Sequence, residues 1–576
     1  MKTKIYIWLP ILLLGFLFFS CEKKLDVSDP SSISANGVWD DVNLANAYLA
    51  SLYNNLMPNK PTNGGSANSD EAGQNYFVMT DRLKGTANIN SWGGFDYGNI
   101  RNINLLLTNI DGGTLADADK KFIKGQAYFW RAWVYYSMVK NFGGVPLVLK
   151  PQDENDTANL FLPRNKTSEC FTQILADLDA AIANLPDLAT GNDVGKIDKC
   201  IAMSFKGRVL LMWASPLFNV GGDKARWQTA YDANKAALAL LDANGKGLYP
   251  NFNNIWYDNL NKEVIMVKQY KLPDNTYFEG GLIPAPFEYN AFGADLPSLE
   301  LVNAFPMKNG SAWNETTMSY DTLWRHRDAR FYATIAYNGC NTGLQDFVNN
   351  GVYLWTWHSV GNGAVSLPEA SLFSGTSFYR NKMIQRDLSR NTAYKSTLPW
   401  PEIRYTEVYM AYGEAANEID KPAEALDVLY KVRQRAEIEA GTGNYGITAS
   451  TKAAIREAYL KERFVEFAFE NKRWNDLRRL RRFDVLNTLK RRHGFTVMFK
   501  DNSLLANYPN GAGPRQMQDI EQIWNLFRYD KIEVDAVDMN VKDNYYIYPI
   551  PQSEIDSNSK LIQNIGWNNG TFDPLQ

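Results

Sequence analysis

From Pro401 to Arg482 apolar residues return every three or four positions, the spacing of one face of an α-helix. Tyr405, Val408, Tyr409, Tyr412, Ala416 and Ile419 form a first stripe. Pro422 stands where a second helix begins, a position at which its missing N–H costs little, and Ala425, Leu429, Val432 and Ala436 continue that helix. Third and fourth helices are predicted over Ile455–Phe469 and Lys472–Leu486, with Leu460, Phe464, Phe467, Ala468, Trp474, Leu477 and Leu480 inward. Two short helices joined by a tight turn leave an apolar face uncovered. Such hairpins must therefore stack on others, as tetratricopeptide-type repeats do.

The same period runs through the first half of the chain. Helices are predicted from Val38 to Leu56, from about Tyr97, and from Ala118 to Asn141, where Gly143, Gly144 and Pro146 end the last of them. Hairpins recur near 118–185, 199–243 and 402–438, and the stretch NKPTNGGSANSDEAG reads as a loop. Between Gly245 and Pro399 the helical period fades, Gly, Asn and Pro punctuate often, and Trp and Tyr become frequent. The expected fold is mainly α: a tetratricopeptide-like scaffold of helical hairpins carrying a long loop-rich insertion with a few short strands. Its parts are an N-terminal helical part (37–244), the insertion (245–400), and a C-terminal helical part with a closing segment (401–576).

The N-terminus changes the picture. Lys2 and Lys4 precede an apolar run from Ile5 to Phe19, too short to span a bilayer and right for the core of a signal peptide. Ser20 and Cys21 follow, so residues 1–20 read as a lipoprotein signal, Cys21 as the lipidated residue and 21–36 as a tether. A net charge of −3 and dispersed Lys and Arg argue against a nucleic-acid partner; the run RRLRRF is expected on the solvent side of a helix. The chain has 4 cysteines and 3 histidines, with no HExxH or CxxC, so no zinc site is expected. GTGNYG at 441–446 matches dinucleotide-fingerprint spacing, but it follows a helix rather than a strand, and no cofactor is expected. Cys170 and Cys200 fall in apolar helical patterns and read as buried thiols.

Glu462, Glu466 and Glu470 repeat at four-residue spacing among Arg463, Arg473, Asp476 and Arg478. Paired carboxylates serve acid–base chemistry, but no cleft-forming loop accompanies these, and the preferred reading is a network of exposed ion pairs worth a few tenths of a kcal/mol each.

The combination IRYTEVYMAYGEAANE, VRQRA and KERFVEFAFENKRWNDLRRL resembles the C-terminal signature of the SusD/RagB family of outer-membrane nutrient-binding lipoproteins. GQAYFWRAWVYYSMVKNFGGVPLVL, KCIAMSFKGRVLLMWASPLFN, the segment that opens with PSLELVNAFPMKNG and closes with ATIAYNG, and YYIYPIPQSEIDSNSKLIQNIGW are similar to further family motifs in the expected order. The resemblance implies a surface lipoprotein that captures an oligosaccharide or polysaccharide and passes it to a SusC-like TonB-dependent transporter, without bond-making chemistry. In the family the site is a shallow surface built by an early loop and the insertion. Carried onto this chain, that implies Trp92 with Asp81, Arg82 and Tyr97 in the loop, and Tyr289, Trp355 and Trp357 in the insertion. Sugars need flat apolar faces beside planar or ionic hydrogen-bonders, and Trp355 and Trp357 would share one side of a strand. Peptide capture is the alternative ligand class. A glycoside hydrolase, needing two carboxylates about 5 to 10 Å apart, and a lid without ligand affinity are the remaining readings.

Overall fold

The computed structural model describes residues 37–61, 65–73, 79–279, 295–344, 353–354, 356–358, 375–388, 392, 394–501, 503 and 520–576. Cys21 with the whole leader and tether, Tyr289 and Trp355 lie outside the described residues.

The helical frame starts at Val42–Leu56, capped by the Asp41 carboxylate, which accepts from the N–H groups of Asn43 and Leu44. Tyr97–Asn109 and the long Asp117–Phe142 follow, the latter packing on Thr167–Asn184. Lys199–Ala214 packs on Lys224–Ala243, and Tyr405–Glu418 packs on both Lys224–Ala243 and Pro422–Arg435. These are the stacked hairpins that the periodicity calls for. At the end of Asp117–Phe142, Gly143 has φ of 74°, and a Cβ there would lie 2.6 Å from Pro574 Cβ, so the turn needs glycine both for its dihedral and for its contact. Gly413 lets two helices meet: its missing Cβ would stand 2.9 Å from Val428.

The insertion is anchored at both ends by a two-stranded ribbon. Val264–Lys268 runs antiparallel to Trp400–Arg404 with a bulge, so the chain leaves and re-enters the frame at one place. Within and beside it, short helices at Leu299–Ala304 and Ala329–Thr334 are joined by small two-stranded pairs. His493–Phe499 and Phe527–Glu533 form an antiparallel hairpin from the C-terminal part of the chain, and Trp357–His358 adds to its edge in parallel. A second core gathers Trp256, Leu301, Phe305, Phe331 and Trp400 with Phe464, Phe469, Phe495 and Phe527 of the C-terminal part. The closing segment returns Tyr545, Tyr548, Ile550 and Trp567 to the first core. No helix of the described residues is long and apolar enough to cross a membrane.

Three sequence expectations are corrected. The predicted fourth helix is two, Arg473–Arg479 and Asp484–Leu489, because Arg481 between them takes a left-handed φ of 54°. Arg478 and Arg479 do not decorate a solvent face: both are buried, Arg478 against Asn141 and backbone carbonyls, Arg479 on Glu414 and Asp476. The loop after Asn59 carries buried acids, Asp70 on Arg473 at 2.6 Å and Glu71 accepting from the N–H of Phe469.

The third correction is the largest. Glu462, Glu466 and Glu470 lie inside, not in an exposed network. Arg330 from the insertion reaches Asp328, Glu462 and Glu466 at 2.6, 2.7 and 2.9 Å. Arg404 at the end of the ribbon binds Glu263, Glu466 and Glu470 at 2.5, 3.0 and 2.8 Å, and Lys382 adds 2.7 Å to Glu470. Charges survive burial only when each is paired and hydrogen-bonded, and these are. Burial opposes ionisation of Glu466, but the guanidiniums of Arg435, Arg404 and Arg330 outweigh it and hold the carboxyl well below its ordinary range. The partners Arg330 and Lys382 come from the insertion, so a reading of the helix alone could not find them.

Candidate functional site

The early loop is held by the closing segment. Thr80 caps the short helix Asp81–Lys84, and Gly85, at φ 74°, ends it against the Asn540 carbonyl. Asp81 is exposed and accepts from the Thr86 hydroxyl at 3.0 Å. Arg82 lies 4.6 Å from the centre of the Trp92 ring. Trp92 is only 5% exposed, wedged among Tyr545, Tyr548 and Trp567 at 5.3, 4.1 and 6.0 Å. It is therefore no platform for a sugar; its faces are spent on the closing segment and on Arg82. Tyr97 is half-buried, and its hydroxyl donates to the Pro146 carbonyl at 2.7 Å. Burial pushes that phenol well above its ordinary pKa. The loop does bring Asp81, Arg82 and Trp92 together, while Tyr97 is turned to another contact. Beside it a depression of about 440 Å³ is rimmed by Asn88, Asn90, Asn544 and Asn568.

In the insertion, the described backbone on the two sides of position 355 belongs to different pairings. Tyr353–Leu354 pairs with Cys340–Asn341, whereas Trp357–His358 pairs with the 493–499 strand. The change of partner has a cause: the N–H of buried Thr356 donates to the Asn338 side chain at 2.9 Å instead of to a ladder partner. The two flanks thus do not form the one strand that alternation across Trp355 and Trp357 would need.

The aromatic depression that the described residues do form lies elsewhere in the insertion. It measures about 410 Å³ and is lined by Trp324, Arg325, His326, Tyr332, Tyr337 and Glu521. The Trp324 and Tyr337 rings are nearly parallel, 8° apart with centroids 5.8 Å apart. Tyr332 is 40% exposed, and its hydroxyl donates to the Trp324 carbonyl at 2.6 Å, which fixes the ring in place. Glu521 accepts from Trp324 Nε1 at 3.2 Å and from Arg325 Nε at 2.7 Å. The hydrogen bond from Arg325 holds the Glu521 carboxyl below its ordinary pKa, so it stays charged at neutral pH. His326 is exposed beside them, in a left-handed conformation with φ of 54°. Trp324 is itself buried, so the exposed Tyr332 ring is the flat face, and next to a fixed carboxylate and guanidinium it meets the needs of sugar recognition. Sequence reasoning missed these residues, although the density of rings and charges in YDTLWRHRDARFYATIAY signals them.

Acid–base work by Glu462, Glu466 or Glu470 is ruled out by their place: each is buried and engaged by Arg or Lys. Burial also raises the thiols, Cys170 to about 11 and Cys200 and Cys340 to about 12, so these three remain neutral structural side chains. Among the described residues no cluster of His, Cys, Asp and Glu is arranged to hold a metal ion.

A stack of helical hairpins bearing a ribbon-anchored, aromatic-lined insertion is the build of a protein of SusD-like fold. Residues 253–567, more than half of the chain, match the model of the SusD family, and residues 23–211 match one described as starch-binding, associating with the outer membrane. The chain belongs to the SusD family. It is 25% identical over 398 residues to the SusD-like protein P2 of Formosa agariphila, spanning 67% of this chain and 70% of that one. A SusD-like protein from Bacteroides fragilis superposes with a TM-score of 0.72 at 23% identity, covering 92% of this chain and 98% of that one. A SusD-like carbohydrate-binding protein from the same species gives 0.69 at 20%, covering 91% and 99%.

Proposed function

We propose that this protein is a glycan-capturing lipoprotein of the outer membrane, anchored through Cys21, that delivers oligosaccharides to a SusC-like TonB-dependent transporter. The observation that carries the glycan reading is the depression formed by Trp324, Tyr332 and Tyr337 beside the Arg325–Glu521 pair. Family membership and the carbohydrate-binding relative of the same fold support it. Tyr332 supplies the ring face, Arg325 and Glu521 the hydrogen bonds to hydroxyls. Asp81 and Arg82 would serve the same ligand only from the rim of the early loop, and Tyr289, Trp355 and Trp357 are proposed as further ligand contacts of the insertion. No bond is made or broken; the chemistry is capture.

Affinity electrophoresis of the chain from residue 22 through gels holding different neutral polysaccharides tests this. One glycan should retard the protein without release of reducing ends, and Tyr332→Ala should weaken the retardation about tenfold, or ~1.4 kcal/mol. Retardation unchanged in Tyr332→Ala moves the site away from this depression. No retardation by any glycan overturns the glycan reading.

A further inference from the structure

A second cleft lies on the helical frame, away from the insertion depression. Lys140, in the last turn of Asp117–Phe142, borders two adjoining spaces: an inner cavity of about 140 Å³ and an outer depression of about 480 Å³. Asn471 and Asn475 border both as well. The carboxylates of the inner cavity are already engaged. Glu402 and Glu407 bind Arg208 at 2.8 and 2.7 Å, Asp476 binds Arg463 and Arg479 at 2.9 Å each, and Glu470 binds Lys382 and Arg404. Lys472 shares Glu407 at 3.1 Å. Lys140 is the cation of this lining that has no carboxylate partner among the described residues, and Arg463 Nη1 is buried there without an acceptor.

A half-buried ammonium and an orphaned guanidinium N–H on one cavity leave a local positive excess that an incoming anion offsets. Burial and the like charges of Arg478, Arg208 and Lys472, against Glu402, lower Lys140 to about 8; it is still mainly protonated at neutral pH. The outer depression adds what a polar ring needs: the half-buried ring of Trp133 and the amides of Asn55 and Asn141.

We propose that this cleft is a second ligand site that takes an acidic sugar, a hexuronate, with its carboxylate at Lys140 and Arg463 and its ring in the outer depression. The choice of a sugar as bearer of the carboxylate rests on the glycan reading above; the anion site itself does not.

Isothermal titration of the chain from residue 22 with sodium glucuronate, glucose and sodium sulfate tests the proposal. Glucuronate should bind saturably at about pH 7 and glucose should not. Lys140→Met should weaken glucuronate at least about tenfold, with Lys140→Arg retaining it. On the unmodified chain, binding should weaken at least about threefold between pH 7 and pH 9.5 as Lys140 loses its proton, which keeps the test valid if the methionine variant does not fold. No saturable glucuronate binding, or binding indifferent to both Lys140→Met and pH, overturns the proposal. Sulfate binding without glucuronate overturns the sugar and leaves an inorganic-anion site. The probe is a free sugar acid, so a failure here leaves retardation by neutral glycans standing, and the reverse.

Discussion

Glu71 shows how far a single residue can depart from its sequence surroundings. It stands in a stretch of Gly, Asn and Ser that reads as a loop, yet it is 1% exposed and accepts from the N–H of Phe469. Burial raises its carboxyl to about 8, with Asp295 and Asp70 adding to the rise while the Phe469 N–H and Lys382 oppose it. The folded pKa lies above the unfolded one, so between about pH 4.5 and 8 the native state holds a proton that the unfolded chain has released. Stability contributed by this group is therefore lost as pH rises through that window. Glu71→Gln keeps an acceptor for Phe469 and removes the titration. Its denaturation midpoint should be flatter across the window, and at pH 8 it should be equal to the parent or higher by ~1 kcal/mol. A fall of that size at pH 8 would mean that the interior requires the charge. Trp92 teaches the same lesson from the apolar side: the family resemblance implied an offered ring, and the closing segment, more than 450 positions away in sequence, covers it.

At the scale of elements, helices were legible and their partners were not. The stripes on Tyr405–Glu418 and Pro422–Arg435 place both helices, because an apolar face repeated every 3.6 residues admits few other structures. Lys452–Glu466 carries a charged face as well, and nothing within the helix says that this face is covered too. The insertion covers it through Arg330, which joins Ala329–Thr334 to Glu462 and Glu466. Arg330→Met would strand Asp328 in a dry interior and take one cation from each glutamate, leaving Glu462 on Arg433 and Glu466 on Arg404 and Arg435, at a cost of about 3–5 kcal/mol. Urea denaturation should register this as a lowered midpoint at unchanged slope. A loss under about 1 kcal/mol would show that water reaches the network and that insertion and frame are less tightly joined. The strands at 493–499 and 527–533 pair with each other, and Trp357–His358 of the insertion adds to the 493–499 edge, a join that local spacing does not record.

The molecule as a whole carries an acid-sensitive interior. Guanidinium and ammonium partners overcome burial and depress Glu407, Glu462, Glu466, Glu470 and Asp476 below their ordinary values. Their folded pKa values lie below the unfolded ones, so their stabilisation is present above about pH 4.5 and is lost as pH falls through the folded values. Circular dichroism melts should show the midpoint dropping steeply below about pH 4.5, with little response to added salt, since buried pairs are screened weakly. A midpoint that holds down to about pH 3 would show these pairs to be dispensable.

By itself the sequence determined the helical hairpins, the change of texture past Gly245 and the family resemblance, because each is written in local spacing or in short motifs. Only tertiary structure decided which charges are inside and which rings are offered to a ligand. Both depend on what folds over them: Arg330 over Glu466, the closing segment over Trp92, and Tyr332 left uncovered at the rim of its depression.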